Sequence, residues 1–480
     1  MVSHRCEITV SEPLVPFKET VISTDASWAP GTPESVLLLP PPWRDTVGLK
    51  QSRHGYYRFV TNSRRLAIGV RCFRLPQKTC ALLDSDATTC GRVLAGAIEL
   101  CDTAHVRGSA LRSVEDIPCT AEMPLEALRS MWEKVAASLS TTDEDEPIDS
   151  CLRTPLPADP GSDHFELFRR IVSIGPYGAG PNMLLMSPKF SIDIVSDLVT
   201  GVSDDNEPPK DDDEITVDQI VLDDVKTLVS VSMTQHPDVF FRIWARLKGA
   251  LVAGFQMTAA SGPLMAEALY GVGFAVESIE ISRHFTGLST EELCSLGADC
   301  ATIPNEEGHA TEPVLSLGHM ISDVKDALRV SMLSTPLRVV EPLYKCSIQC
   351  DQMQLGNLYP VLSRRRGEVI EEDIIEGTSL FVLTVILPVA DSFGFSQELL
   401  KKTSGSGTAP QLVFSHWRVI DMNPFWKPTT AEELEDLGES TVEPNLPRIF
   451  IDKVRKRKGM VVEEKIVVSA EKQRNLKTNK

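Results

Sequence analysis

Between residues 338 and 421 the apolar positions switch between a period of two and a period near 3.6. "PLYKCSIQC" alternates as a strand, and "QMQLGNLYPVLSRR" places Leu355, Leu358, Tyr359 and Leu362 at helical spacing. "GEVIEEDIIEG" reads as a second strand. "SLFVLTVILPV" is an almost unbroken apolar run, interrupted only by Thr384, which predicts a central, well-buried strand ended by Pro388. "SFGFSQELLKKTSGSG" predicts a helix with Phe395, Leu399 and Leu400 inward and glycines at its end, and "APQLVFSHWRVI" a closing strand. The resulting order, β-α-β-β-α-β, is the split βαβ arrangement of ferredoxin-like domains. Pro360 falls inside the first helix, where a lost hydrogen bond costs about 3 kcal/mol and predicts a kink.

Upstream the pattern is looser. "YYRFVTN", "RRLAIGVRCFRL" and "VGFAVESIEI" read as strands, and "PLEALRSMWEKVAASL", "DVFFRIWARLKGALVAGFQMTAA" and "GHMISDVKDALRVSML" as helices, within an α/β or α+β unit carrying insertions. The chain opens differently. "RCEITV" has strand character, and Pro13 and Pro16 in "VSEPLVPFKETV" then forbid its continuation inside a sheet, so the first residues read as the end of a domain. Near the other terminus, Thr430 and Glu433 fit a capping box, Gly438 a stop, Pro447 a first helical position and Gly459 a C-cap.

With 480 residues and 42% hydrophobic content, the chain has material for two or three domains. No apolar run approaches the length of a membrane span, and the N-terminus has neither secretory nor transit-peptide character, so the expected compartment is cytoplasmic. The eleven cysteines include no CxxC pair and read as free, mostly buried thiols. A formal net charge of −19 argues against a general nucleic-acid coat protein, yet the sign is segregated. Acid concentrates in "TTDEDEPIDS" and "SDDNEPPKDDDEITVDQIVLDD". Base concentrates at Arg364, Arg365 and Arg366, at Lys401 and Lys402, and in the tail, where Arg448 to Lys480 hold eleven Lys and Arg against four Asp and Glu. Arg455, Lys456, Arg457 and Lys458 are the densest part of that tail. These nine residues are the candidate contacts for an anionic partner. The competing account is that cations at helix C-termini complement the helix dipole, by about 0.3 to 1 kcal/mol each.

Other chemistry fails on inspection. "IGPYGAGPN" invites a phosphate-loop reading, but Pro176 and Pro181 remove two backbone donors and no Gly-Lys dipeptide exists anywhere in the chain, so it reads as a tight structural turn. The nine histidines show no metal spacing, and His416 reads as a sheet-face residue. No catalytic residues, bound cofactor or metal are expected within the chain.

Several of these segments together resemble a known family. "SEPLVPFKETV" resembles the strand and proline turn ending the third domain of elongation factor 2 and elongation factor G, with Pro13, Glu19 and Thr20 in the pattern's places. "IGPYGAGPN" and "LVAGFQMTAASGPLMAEALYGVGFAV" resemble the fourth domain, and "EPLYKCSIQC", "VLSRRRGEVIEE", "GTSLFVLTVILPVADSFGF", "SGSGTAPQLVFSHW" and "NPFW" the fifth and its exit. "NPFWKPTTAEELEDLGE" and the following tail are similar to the elongation-factor-like GTPases of large-subunit maturation. The resemblance implies a division at 1–20 (end of a third domain), 21–335 (a fourth domain, ribosomal protein S5 domain 2-like, with insertions near 141–165, 201–224 and 284–317), 336–424 (the ferredoxin-like fifth domain) and 425–480 (a basic tail returning to the fourth).

In that family a first domain, outside this sequence, hydrolyses GTP with magnesium, and the factor works with the Shwachman-Bodian-Diamond protein to release the anti-association initiation factor from the pre-large subunit. Whether the chain is part of such a GTPase, a free-standing ribosome-interaction protein without enzymatic activity, or part of the translocase stays open at this point. The resemblance also implies that His284, His309 and His319 carry no diphthamide, since none lies in the His-Arg-Gly-Gly pattern of the translocase tip.

Overall fold

The computed structural model describes residues 13–22, 56–60, 66–85, 170–195, 227–231, 236–282, 317–375, 377–405, 407–408, 410–426 and 445–462, with 134 and 295 singly. The acidic stretches, the first twelve residues, most of "PLEALRSMWEKVAASL", His284, His309, Thr430, Glu433 and Gly438 lie outside them.

Two sheets carry the fold, and both are mixed with helices. The first has the order β2 (Tyr56–Val60), β3 (Leu66–Arg74), β7 (Val272–Ser282), β5 (Asn182–Val195), β4 (Ile171–Gly175), with β6 (Thr227–Val231) also on β5. All pairs are antiparallel except β5 with β7, registered Met183 to Gly273 and Ile192 to Ile279. A parallel pair needs a crossover, supplied here by α2 (Pro237–Ala260). Pro237 opens that helix, where its missing N–H is harmless. α3 (Leu317–Leu333) lies beside α2, and the contact is close because of Gly254: a Cβ there would sit 2.6 Å from the Val324 side chain. α1 (Gln77–Ser85) follows β3.

The second sheet runs from β8 (Leu337–Asp351) through α4 (Leu355–Arg364), β9 (Glu368–Ile374), β10 (Leu380–Pro388), α5 (Phe395–Lys402) and β11 (Gln411–Ile420). Its strand order is β11-β8-β10-β9, antiparallel throughout. The element order is the one that the hydrophobic periods predict. Two details differ. β10 is buried on one face only, at Leu383, Val385 and Leu387, because helices cover a single side of the sheet. Leu400 is 37% exposed while Phe395 and Leu399 are fully buried, since an eight-residue helix packed on a sheet presents only a narrow stripe. α4 is assigned as helix across Pro360; Pro360 and Gly356, the carbonyl partner it cannot reach, are both exposed, so water can take the orphaned acceptor.

β8 joins the two units. Its 15 residues span about 50 Å at strand rise. One edge pairs first with β1 (Lys18–Val21), Lys18 to Val340 through Val21 to Leu337, and then with β10 from Leu343 onward, while β11 takes the other edge. Leu337 and Val339 accordingly belong to the core of the first unit, and Cys346, Ile348 and Cys350 to the core of the second. The described cysteines, Cys72, Cys80, Cys346 and Cys350, are buried thiols. α6 (Leu446–Arg457) starts at Asn445, whose side chain accepts from the Arg448 N–H, with Pro447 in its first turn. It ends at Gly459, φ +69, with the Gly459 and Met460 N–H groups returning to the Lys456 and Arg455 carbonyls. Phe450, Ile451 and Val454 of this helix enter the core of the first unit, and Phe450 stacks on Phe17 at 4.8 Å.

Candidate nucleic-acid interface

The nine cations fall into two classes. Arg364 closes α4 with a side chain 70% exposed and one ion pair, 3.1 Å to Glu398. Lys401 and Lys402 close α5 and are exposed, as are Lys456 and Arg457 at the end of α6. These five can meet an external anion.

The other four hold the protein together. Arg365 donates through Nε to Glu398 at 2.9 Å and through a terminal nitrogen to the carbonyls of Asp391 and Phe393, immediately before α5. That contact sets the C-terminal end of α4 against the N-terminal end of α5, so Lys401 and Lys402 lie at the far end of α5 from Arg364. The Arg365 guanidinium also holds the Glu398 carboxyl below the usual carboxylate range. Arg366 occupies the left-handed region at φ +53, as the residue after the α4 cap, with the Gly367 N–H returning 2.8 Å to the Leu362 carbonyl. Its guanidinium pairs with Asp391 at 2.7 Å and with Glu341 at 3.0 Å. Glu341 is 2% exposed and accepts from Arg418 as well.

Arg455 and Lys458 serve the loop at residues 261–271, between α2 and β7. Arg455 is buried and donates to the Leu264 carbonyl, and Lys458 donates to the Met265 and Ala266 carbonyls while pairing with Glu267 at 2.8 Å. The N–H groups of the same loop face the other way. Those of Leu264, Met265 and Glu267 converge on the fully buried Glu19 carboxylate at 2.8, 2.9 and 3.1 Å. Burial pushes the Glu19 carboxyl up and the three N–H donors draw it back. Periodicity could not reveal this role of Glu19, because its partners are backbone atoms roughly 245 residues away. The one signal for Glu19 in the sequence is its place in the family pattern of "SEPLVPFKETV".

Lys18, next in β1, places its Nζ 3.9 Å from the Trp417 ring centroid and 4.8 Å from that of Tyr270, with Asp84 at 3.9 Å. Burial lowers its pKa. A cleft of about 370 Å³ opens beside it between α1 and β11. Among the described residues no cluster of His, Cys, Asp and Glu could hold a metal, and no helix is long and apolar enough to cross a membrane. "IGPYGAGPN" is a tight turn joining β4 to β5. His416 lies exposed on β11 beside a bulge, its Nδ1 2.9 Å from Ser415 Oγ.

Residues 338–427, the second sheet and its exit, match the family described as Elongation factor G C-terminus. That part of the chain is similar to the C-terminal domain of elongation factor G. Elongation factor-like GTPase 1 of Homo sapiens is 28% identical over 507 residues, covering 99% of this chain and 39% of that protein. The Mus musculus protein of the same name is 39% identical over 48% of this chain and 23% of its own length. Ribosome assembly protein 1 of Schizosaccharomyces pombe is 40% identical over 47% of this chain and 21% of its own. The chain thus spans less than half the length of these curated relatives. Arg364, Lys401 and Lys402 lie within the residues that the family model matches.

Proposed function

We propose that the chain is the ribosome-binding half of an elongation-factor-like GTPase acting in cytoplasmic maturation of the large ribosomal subunit. The observation that carries this reading is the match over 99% of the chain to a relative named as an elongation factor-like GTPase. In this reading residues 21–335 are the fourth domain of the superfamily and residues 336–424 its ferredoxin-like fifth domain. GTP and magnesium would be bound by a domain outside this sequence, and the large-subunit RNA would meet Arg364, Lys401, Lys402, Lys456 and Arg457. Phosphate contacts of this kind fix position on RNA without reading sequence. Arg365, Arg366, Arg455 and Lys458 serve the interface indirectly, by fixing the helix ends that carry the exposed cations. The Shwachman-Bodian-Diamond protein and the anti-association initiation factor are the protein partners that the reading implies.

Pelleting through a sucrose cushion with purified ribosomal subunits tests the reading. The chain is expected in the pellet with large subunits and in the supernatant with small ones. Equal recovery with both, or with neither, would remove it.

A further inference from the structure

The turn between β4 and β5 is constructed to hold one side chain outward. Tyr177 sits at φ +60, a region that suits glycine or asparagine and disfavours an aromatic residue, and its side chain is 88% exposed. The turn closed by the Ala179 N–H and the Pro176 carbonyl requires positive φ at both Tyr177 and Gly178, but it does not require an exposed aromatic ring there. The backbone around it is nonetheless tightly fixed. Asn182 donates to the Gly175 and Leu269 carbonyls at 3.1 and 2.9 Å and accepts from the Val272 N–H at 3.0 Å. Gln256 donates to Ser173 Oγ at 2.9 Å and to the Ile174 carbonyl at 2.7 Å, and accepts from the Gly178 N–H at 3.3 Å. A ring presented on a pre-ordered turn loses little entropy when it makes a contact.

Its neighbourhood indicates the kind of contact. Leu269 and Val272, which Asn182 ties to the turn, end the same loop whose Leu264, Met265 and Ala266 carbonyls receive Arg455 and Lys458. The exposed Lys456 and Arg457 stand beside those two residues. A single braced loop therefore touches both the turn that carries Tyr177 and the helix end that carries Lys456 and Arg457. The turn from Gly175 to Asn182 contains no acidic residue, and Glu267, in the loop, is neutralised by Lys458.

We propose that Tyr177 stacks on an unpaired nucleobase of RNA while Lys456 and Arg457 neutralise the flanking phosphates. This rests on the ribosome-binding reading and adds the class of RNA element: a loop, bulge or single strand, because bases inside an A-form duplex offer no face for stacking.

The experiment measures binding of the full chain to a fluorescein-labelled single-stranded 12-mer RNA, to the corresponding duplex and to large subunits. Tyr177→Asn, which suits the backbone angle, is expected to melt no lower than the parent and to bind the single strand about 5- to 150-fold more weakly, the range for loss of one base stack. Tyr177→Trp should retain affinity. Lys456→Glu with Arg457→Glu should reduce the salt dependence, whereas Tyr177→Asn should leave that slope unchanged. Single-strand affinity unaffected by Tyr177→Asn, or duplex bound as tightly as the single strand, overturns the proposal. So does weaker binding of Tyr177→Asn to large subunits with oligonucleotide affinity intact, which would make the partner a ribosomal protein. If Tyr177→Asn and the parent sediment equally with large subunits, this proposal falls alone; if the parent does not sediment, the ribosome reading falls with it.

Discussion

Glu19 and Arg455 grip the same residue from opposite sides: the Leu264 N–H donates to the Glu19 carboxylate and the Leu264 carbonyl accepts from the Arg455 guanidinium. The two ends of the described chain are thereby fastened to one loop of the first unit. β1 and α6 also share the Phe17–Phe450 stack, so the junction is apolar on one side and ionic on the other.

Replacing Glu19 by Gln keeps the shape and removes the charge. A carboxamide turns its NH₂ toward backbone donors that the carboxylate accepted, and hydrogen bonds to a charged acceptor contribute about 1.5 to 3 kcal/mol each. Glu19→Gln is therefore expected to destabilise the chain by about 3 kcal/mol in urea unfolding. A loss below about 1 kcal/mol would mean that burial keeps Glu19 protonated and that the loop does not depend on its charge.

At Arg366 two effects oppose each other. Its φ of +53 favours glycine, while its pairs with Asp391 and the buried Glu341 favour arginine. Arg366→Ala keeps the backbone strain and loses the pairs, whereas Arg366→Gly loses the pairs alone. Both variants should be less stable than the parent, with the glycine variant the more stable of the two by about 1 kcal/mol. Urea midpoints in the reverse order would show that the left-handed conformation is not a cost here.

Much of this fold is legible in the amino-acid sequence. The β-α-β-β-α-β order of residues 337–420 follows from hydrophobic period and turn residues, as do α2, α3, β3 and β7. β4, β5, β6 and α1 do not stand out: β5 and β6 are short of clean alternation, and α1 is a nine-residue helix with little apolar contrast. Among the nine cations, sequence marks positive charge but not its use. Arg365 and Arg364 are adjacent and both pair with Glu398, yet Arg365 also donates to the carbonyls of Asp391 and Phe393 while the Arg364 side chain remains 70% exposed. That distinction depends on where α5 lies, which no local pattern specifies.

Stability should respond to pH through α3. Burial, and then the neighbouring Asp326 carboxylate, push Asp323 up to about 6, against the opposing influence of His319. A carboxyl raised in the folded state binds its proton more tightly there than in the unfolded chain, so its contribution is greatest below the unfolded value and is lost as pH rises through about 6. The parent is expected to lose stability from this group between about pH 4 and 6. Asp323→Asn should flatten that portion of the curve and raise the melting temperature at pH 7; an unchanged profile would place Asp323 in contact with bulk water.

The exposed cations and the internally paired ones predict different salt behaviour. Charge reversal at Arg364, Lys401 and Lys402 should lower the log–log salt slope of large-subunit binding by about 0.7 to 0.9 for each phosphate no longer neutralised, with unfolding little changed. Reversal at Arg365 or Arg366 should instead appear first as reduced stability. If reversal of Arg364, Lys401 and Lys402 together leaves the slope unchanged, those residues serve only the helix dipoles.

As the ribosome-binding half proposed above, this chain is expected to dock on the large subunit by itself. Electron cryo-microscopy of large subunits incubated with the 480-residue chain tests it most directly. The expected density lies at the site that elongation factors occupy, with Arg364 within contact distance of RNA phosphate. Density at another site, or subunits without bound chain at saturating concentration, would contradict it.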